Sequence, residues 1–417
     1  MTKSIASGDL SRRSAASDPE VTTLICFSHL RWDFVYQRPQ HLMSRFARQG
    51  RVFYVEEPVY GADAPRCDVS PREHGVQVVV PWLPHGLSGD ARNHLLSALV
   101  AELIDDQAIT NFVAWYYTPM ALPWTRHLEP VAVVYDCMDE LSLFRGAPAE
   151  MVERERELIA LADVVFTGGA SLYEAKRARS DNVYCFPSSV DAGHFRQART
   201  IRDDPSDQAG IPHLRLGFAG VIDERMDIEL LSAIAAARPE WHLVLIGPIV
   251  KIDSAHLPQR ENIHYLGAKP YAELPRYMAG WDIALLPFAL NESTRYISPT
   301  KTPEYLAAGL PVVSTPIRDV VSPYGLTALA HIGSTATDFV QAVESELTLS
   351  EAARADWMMR VDDFLSTMSW DRTHDQMAAL IAQAIVLGVE SRARSAAAAP
   401  HRRAAAALTR FDVALES

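Results

Sequence analysis

Short apolar runs alternate with longer amphipathic stretches from Val21 onward, the pattern of βαβ units that build a parallel sheet. VTTLICFSHL predicts a buried strand ending near Ser28, and Leu42, Met43, Phe46 and Ala47 mark one face of a helix over Gln40 to Gln49. RVFYVEEP, VQVVVP, NFVAWYY, VAVVYD and ADVVFTG supply further strands. An amphipathic crossover helix is expected from Glu150 to Leu161, and a last short strand in NVYCFPSS. The alternation lapses over 197–213, QARTIRDDPSDQAGIPH, which is polar, aperiodic and reads as a linker. It resumes with LRLGFAGV, a helix from Ile228 to Ala237, WHLVLIGP, NIHYLG, a helix beginning near Tyr271, and WDIALLPF. A helix around Thr302 to Ala308, stopped by Gly309, leads to LPVVSTP, TALAHIG and the closing amphipathic helices. The expectation is an α/β protein of two doubly wound, Rossmann-like domains, 21–196 and 214–391, the second including the final helices. Residues 1–20 read as a disordered lead-in, and 392–417 as an Ala/Arg-rich tail.

Length agrees with two cores, since 417 residues exceed what one ordinary core holds. The net charge of -13 argues against a nucleic-acid partner, though a local basic pocket for a small phosphate ligand fits. Four scattered cysteines without a C-x-x-C pair, and no His cluster at zinc spacing, predict neither a disulfide framework nor a structural metal. No apolar run approaches the roughly 20 residues that span a bilayer, and the N-terminus lacks a secretory apolar core. A cytoplasmic protein is expected, with peripheral contact at the inner membrane face left open.

Two opposed doubly wound sheets gather ligands at the carboxyl ends of their strands, so candidate chemistry is sought there. In SPTKTPEYLAAGLPVVST, Ser298, Thr300 and Lys301 lead into a helix, so free backbone N–H groups and a cation coincide, a combination that suits phosphate. Glu304 on the first turn is placed to accept from a pair of ribose hydroxyls. The same segment also reads as an ordinary helix with a capping Thr and a dipole-favoured Glu. In GFAGVIDERMDIELL, Gly217 and Gly220 follow a strand and Arg225 lies before a helix, suited to a diphosphate leaving group. The other reading pairs Arg225 with Asp223 or Asp227 on the surface. Gly247 and Pro248 allow close backbone approach after another strand, with Tyr271, Leu274, Pro287 and Phe288 as walls.

The first half offers VYDCMDELSLF, with Asp136, Asp139 and Glu140 after a strand. A carboxylate there can orient or deprotonate an acceptor hydroxyl, or, as Asp139, cap a turn. HLRWDFVYQRPQHL lacks G-x-G-x-x-G, which argues against NAD. Its His29, Arg31, Trp32 and Arg38, with Asp33 and Gln37 beside them, are candidates for an acceptor: an aromatic face packs on a sugar ring, and Arg holds carboxylate or phosphate. They could equally cover the end of the sheet.

Glu304, Gly309, Pro311, Val312 and Val313 together resemble the signature of the group-1 glycosyltransferases of the GT-B superfamily, in which the Glu contacts the donor ribose. FPSSVDAGHF is similar to the family's turn at the end of the first domain through Pro187, Val190, Asp191 and Phe195, with Ser188 and Ser189 replacing Asn and Gly. Arg225 fits the Arg of the family's glycine turn. Met226 or Asp227 stands where its Lys is expected, so Lys301 becomes the second cation. The family's other Glu is replaced by Tyr296, which leaves the donor sugar and the stereochemical outcome open. Pro299, Lys301 and Glu304, as Pro-x-Lys-x-x-Glu, look like a subgroup of bacterial surface-polysaccharide transferases that includes the teichuronic acid type. The resemblance implies a GT-B fold and transfer of a sugar from a nucleoside diphosphate sugar, UDP being the commonest carrier, to a hydroxyl of a glycan or lipid-linked acceptor. It implies no cofactor and no metal, with Asp136, Asp139, Arg225, Lys301 and Glu304 carrying the chemistry. A sugar-nucleotide epimerase of the same fold, or a non-catalytic nucleotide-sugar-binding subunit, would use the same pocket.

Overall fold

The computed structural model describes residues 23–388 and 390. The expected lead-in, 1–20, and tail, 392–417, lie outside them. The chain forms two sheets in succession. The first contains β1 (Thr23–Phe27), β2 (Arg51–Val55), β3 (Val59–Tyr60), β4 (Arg66–Pro71), β5 (Val76–Leu83), β6 (Val113–Tyr116), β7 (Ala132–Cys137), β8 (Val164–Thr167) and β9 (Val183–Cys185). Their order is β3-β5-β2-β1-β6-β7-β8-β9, all parallel, with β4 running antiparallel on β5. The second contains β10 (Arg215–Ala219), β11 (His242–Ile246), β12 (Ile263–Gly267), β13 (Ile283–Leu286), β14 (Val312–Ser314) and β15 (His331–Ile332), in the parallel order β12-β11-β10-β13-β14-β15.

The central strands, such as β1, β6, β8 and β13, read as apolar runs because both faces are covered. Along β1, Ile25 and Phe27 point into one core layer with Leu99, Leu158 and Tyr135, while Leu24 and Cys26 point into the opposite layer with Leu42, Met43 and Trp115. Strand order also fixes where ligands can sit. Neighbours are added on opposite sides of β1 (β2, then β6) and of β10 (β11, then β13), so each sheet has its crevice at the carboxyl end of its first strand. Beyond β10 that position is Gly220.

Two boundaries differ from the sequence expectation. Residues 197–213 are not a free linker. Val190, Phe195, Ala198 and Ile211 belong to the second core, Gln208 is buried and accepts from Trp281 Nε1 at 3.0 Å, and Asp204 pairs with Arg215 at 2.7 Å. The crossover therefore precedes Val190. The closing helix at 370–388 was expected with the second domain, but Trp370, Met377, Ile381 and Ile385 pack into the first core beside Leu24 and Trp115. Its apolar stripe completes the uncovered face of β1 and β6. The chain thus crosses between domains twice. No helix among the described residues is long and apolar enough to cross a membrane.

Candidate active site

A cleft of about 540 Å³ opens between the two sheets. Its second-domain wall is made by three segments that meet with no room for additional atoms. The helix Lys301–Ala308 buries Tyr305, Leu306, Ala307 and Ala308 against the sheet and ends where Gly309 turns left-handed at φ +87. The Tyr305 hydroxyl accepts the Ala219 amide at 2.8 Å, which ties the helix to the end of β10. This draws Gly220 against Lys301: a Cβ at 220 would stand 2.0 Å from Lys301 Cε. A Cβ at Gly247 would meet the Gly220 carbonyl at 1.8 Å, so the loop after β11 is equally close. Gly217, by contrast, lies inside β10 under the Trp281 ring and is structural.

Gly220, Arg225, Gly247, Pro248, Thr300, Lys301 and Glu304 all line the cleft, together with Tyr271 and Leu274. Ser298 lines an adjoining recess of about 90 Å³ that shares Arg225, Thr300 and Lys301 with the cleft. Burial outweighs the pull of the neighbouring Lys301 ammonium and leaves the Glu304 carboxyl raised to about 7. Lys301 is lowered by its own burial and by Arg225, while Glu304, Asp223 and Asp139 favour its charged form. Arg225 is held by Asp223 through Nε at 3.0 Å and Nη2 at 2.7 Å, and its guanidinium lies 5.4 Å from the Phe144 ring of the opposite domain. The Asp223 pairing is thus real, and it aims the cation across the cleft. Met226 is core and Asp227 caps its own helix by accepting Leu230 N–H at 2.8 Å, so neither substitutes for a cation.

Asp139 enters the small recess from the first domain, opposite Arg225 and Lys301. Burial raises its carboxyl to about 6, although both cations pull it down. Asp136 is different. Both its oxygens accept from Arg38, through Nε at 2.9 Å and Nη2 at 2.8 Å, and the two side chains are 0% and 1% exposed. Arg38 spends its remaining arm on the Phe186 carbonyl at 2.7 Å. The structure therefore withdraws Asp136 from the chemistry and Arg38 from acceptor binding, and assigns them to fastening the first helix onto β7. Removing one partner strands the other charge in the core. Arg38→Met is expected to cost about 3–5 kcal/mol in urea unfolding, and a loss below 1 kcal/mol would contradict this role.

The other acceptor candidates are also largely engaged. Arg31 holds Glu56 at 2.8 Å and the Glu57 carbonyl at 2.6 Å. Trp32 borders the cleft but is 9% exposed, its ring packed edge-on against Tyr54 and its amide bound to Glu56 at 2.8 Å. His29 is half-buried, lowered to about 4 by burial and hence neutral, and does not line the cleft. The first-domain wall comes instead from Phe34, Tyr36 and Gln37, and from Arg72, Glu73 and His74 carried by the β4–β5 hairpin. Tyr36 stacks on Tyr271 across the cleft at 4.5 Å, and Tyr271 stacks on His194 at 4.4 Å. Sequence reasoning singles out Trp32, Asp33 and Gln37 on this wall but misses Phe34, Tyr36 and the hairpin residues. RCDVSP carries no clear alternation to announce an edge strand, and nothing local pairs Tyr36 with Tyr271. Tyr296 packs against the first-domain core.

Residues 214–348, which carry the whole second-domain wall, match the family model described as Glycosyl transferases group 1. The chain is similar, at 26% identity over 275 residues (61% of this chain and 68% of the relative), to TuaH of Bacillus subtilis (strain 168), whose name places it in teichuronic acid biosynthesis as a glycosyltransferase. Among solved structures it is similar to E. coli trehalose-6-phosphate protein bound with UDP-2-fluoro glucose, at TM-score 0.65 and 10% identity, covering 87% of this chain and 99% of that one. It is likewise similar to Anabaena HepE in complex with UDP and glucose, at TM-score 0.60 and 13% identity, covering 86% and 98%. The fold is GT-B: two parallel-sheet α/β domains facing across a cleft.

Proposed function

We infer that this chain, whose second domain belongs to the group 1 glycosyl transferases, transfers a sugar from a nucleoside diphosphate sugar to a glycan or lipid-linked hydroxyl in cell-surface polysaccharide synthesis. The observation that carries the reading is the contact of Lys301 with the Gly220 turn, at the start of a helix whose first turn bears Glu304. A diphosphate laid on that turn would meet the Lys301 ammonium, the positive end of the helix dipole and the Arg225 guanidinium, which together compensate the charge developing on the leaving group. Glu304, one turn on, would accept from the ribose hydroxyls, and Pro248, Tyr271 and Leu274 would wall the base. UDP is the carrier we propose, since the structurally similar E. coli protein binds a UDP sugar and HepE binds UDP. Asp139 would face the sugar's reacting end and the incoming hydroxyl. The acceptor would be met in the cytoplasm, at the inner membrane face where it is lipid-linked.

Thermal unfolding with UDP, GDP, dTDP and ADP tests this. UDP is expected to stabilise the protein by ~2.7 kcal/mol at a hundredfold excess over Kd, and the reading fails if none of the four moves the transition. Incubation with UDP-glucose alone separates an epimerase, which would convert it, from a transferase, which needs an acceptor.

A further inference from the structure

Beside Ser298 the two domains also meet at the helix Ala170–Lys176, which follows β8. A helix start leaves amide N–H groups without intrahelical partners, and a side chain at the preceding residue usually accepts from one of them. Here that residue is Gly169, which has no side chain to do so. The acceptor comes from the other domain: Asp319, 6% exposed and just beyond β14, takes the Ser171 amide on Oδ1 at 3.1 Å. Burial raises the Asp319 carboxyl, and the Ser171, Ser298 and Ala170 groups around it favour its charged form. The fit requires glycine. A Cβ at 169 would stand 2.1 Å from Asp319 Oδ2 and 2.6 Å from Ser298 Cβ, so any larger residue would displace these two side chains. Ser298 belongs to the segment that leads into Lys301, and Gly169 packs against both it and Asp319, so the seam joins the first domain to the cleft's cationic segment. An Arg318–Glu174 ion pair at 2.6 Å lies on the same seam, but half its surface is in water and it adds little.

We propose that Asp319 is a positioning residue: it caps the helix Ala170–Lys176 from the opposite domain and so holds the segment Ser298–Lys301 in its working place. The seam stands on the contacts alone, whereas its consequence for donor binding rests on the reading of the cleft given above. The test uses the full chain and the variants Asp319→Ala, Asp319→Asn and Gly169→Ala, with UDP as probe. In Asp319→Ala, hydrogen exchange over 170–172 is expected to quicken at least tenfold while β7 and β11 stay as in the parent, and UDP affinity to fall about tenfold. Asp319→Asn keeps an accepting oxygen and is expected to recover most of both losses. Gly169→Ala approaches the seam from the other side: by displacing the Asp319 carboxylate from the Ser171 amide it is expected to quicken exchange over 170–172 in the same way. Parent-like exchange over 170–172 in Asp319→Ala or in Gly169→Ala overturns the proposal. If UDP fails to bind the parent, the donor reading fails, while exchange still decides the seam.

Discussion

Lys301→Met is expected to weaken UDP binding by about 30- to 150-fold, the roughly 2–3 kcal/mol carried by charge-assisted contacts to a diphosphate. Methionine preserves the length of the side chain lying against Gly220, where a Cβ would come within 2.0 Å of Lys301 Cε, so the packing of the turn is retained. What is lost is the cation. Its removal also takes away the charge that opposes burial at the Glu304 carboxyl, already raised to about 7, so Glu304 takes up a proton more readily and stays tolerable in the fold. The parent and the variant should therefore unfold at similar urea concentrations while differing widely in calorimetric Kd. Equal affinities would remove Lys301 from the donor site.

Asp139→Asn is expected to lower kcat by about two orders of magnitude, the usual worth of a positioned acid–base group, and yet to make the protein more stable at alkaline pH. The sign follows from its carboxyl, which burial raises from 3.8 to about 6. A group raised in the folded state supports folding fully below its unfolded value, and that support is lost as pH rises through about 6. Above pH 7 the parent carries a half-buried carboxylate that asparagine lacks. The variant should gain about 1–2 kcal/mol at pH 8, after allowance for solvent screening, and nothing near pH 3.5. Urea unfolding at the two pH values measures this. With saturating donor, so that Glu304 does not limit, the parent's rate should fall as pH drops through about 6, and the variant's residual rate should lack that limb. An unchanged kcat would reassign Asp139 to structure.

The alternation of apolar and polar segments made both sheets readable because β1, β7, β11 and β13 are buried on two faces and appear as continuous apolar runs. The cationic helix start was readable for a similar reason: Lys301 and Glu304 lie on one turn, and the stop at Gly309 fixes which turn that is. What local sequence does not contain is the partner of a side chain. Arg38 and Asp136 each looked available, but they saturate one another across 98 positions of chain. Arg31 and Trp32 are engaged by Glu56 in the same manner. The closing helix shows an apolar stripe but not which face it covers, and Trp370 finds the first core rather than the nearer second one. Gly169 is a plain glycine after a strand until Asp319 arrives against it from another domain.

A crystal structure of the full chain grown with UDP probes the cleft assignment most directly. The account requires the diphosphate against Gly220 within hydrogen-bond reach of Lys301 Nζ, and the ribose on the Glu304 carboxylate. Density for UDP in the 220 Å³ hollow by Glu56 and Arg92 in the first domain, with the Lys301 side chain untouched, would contradict it.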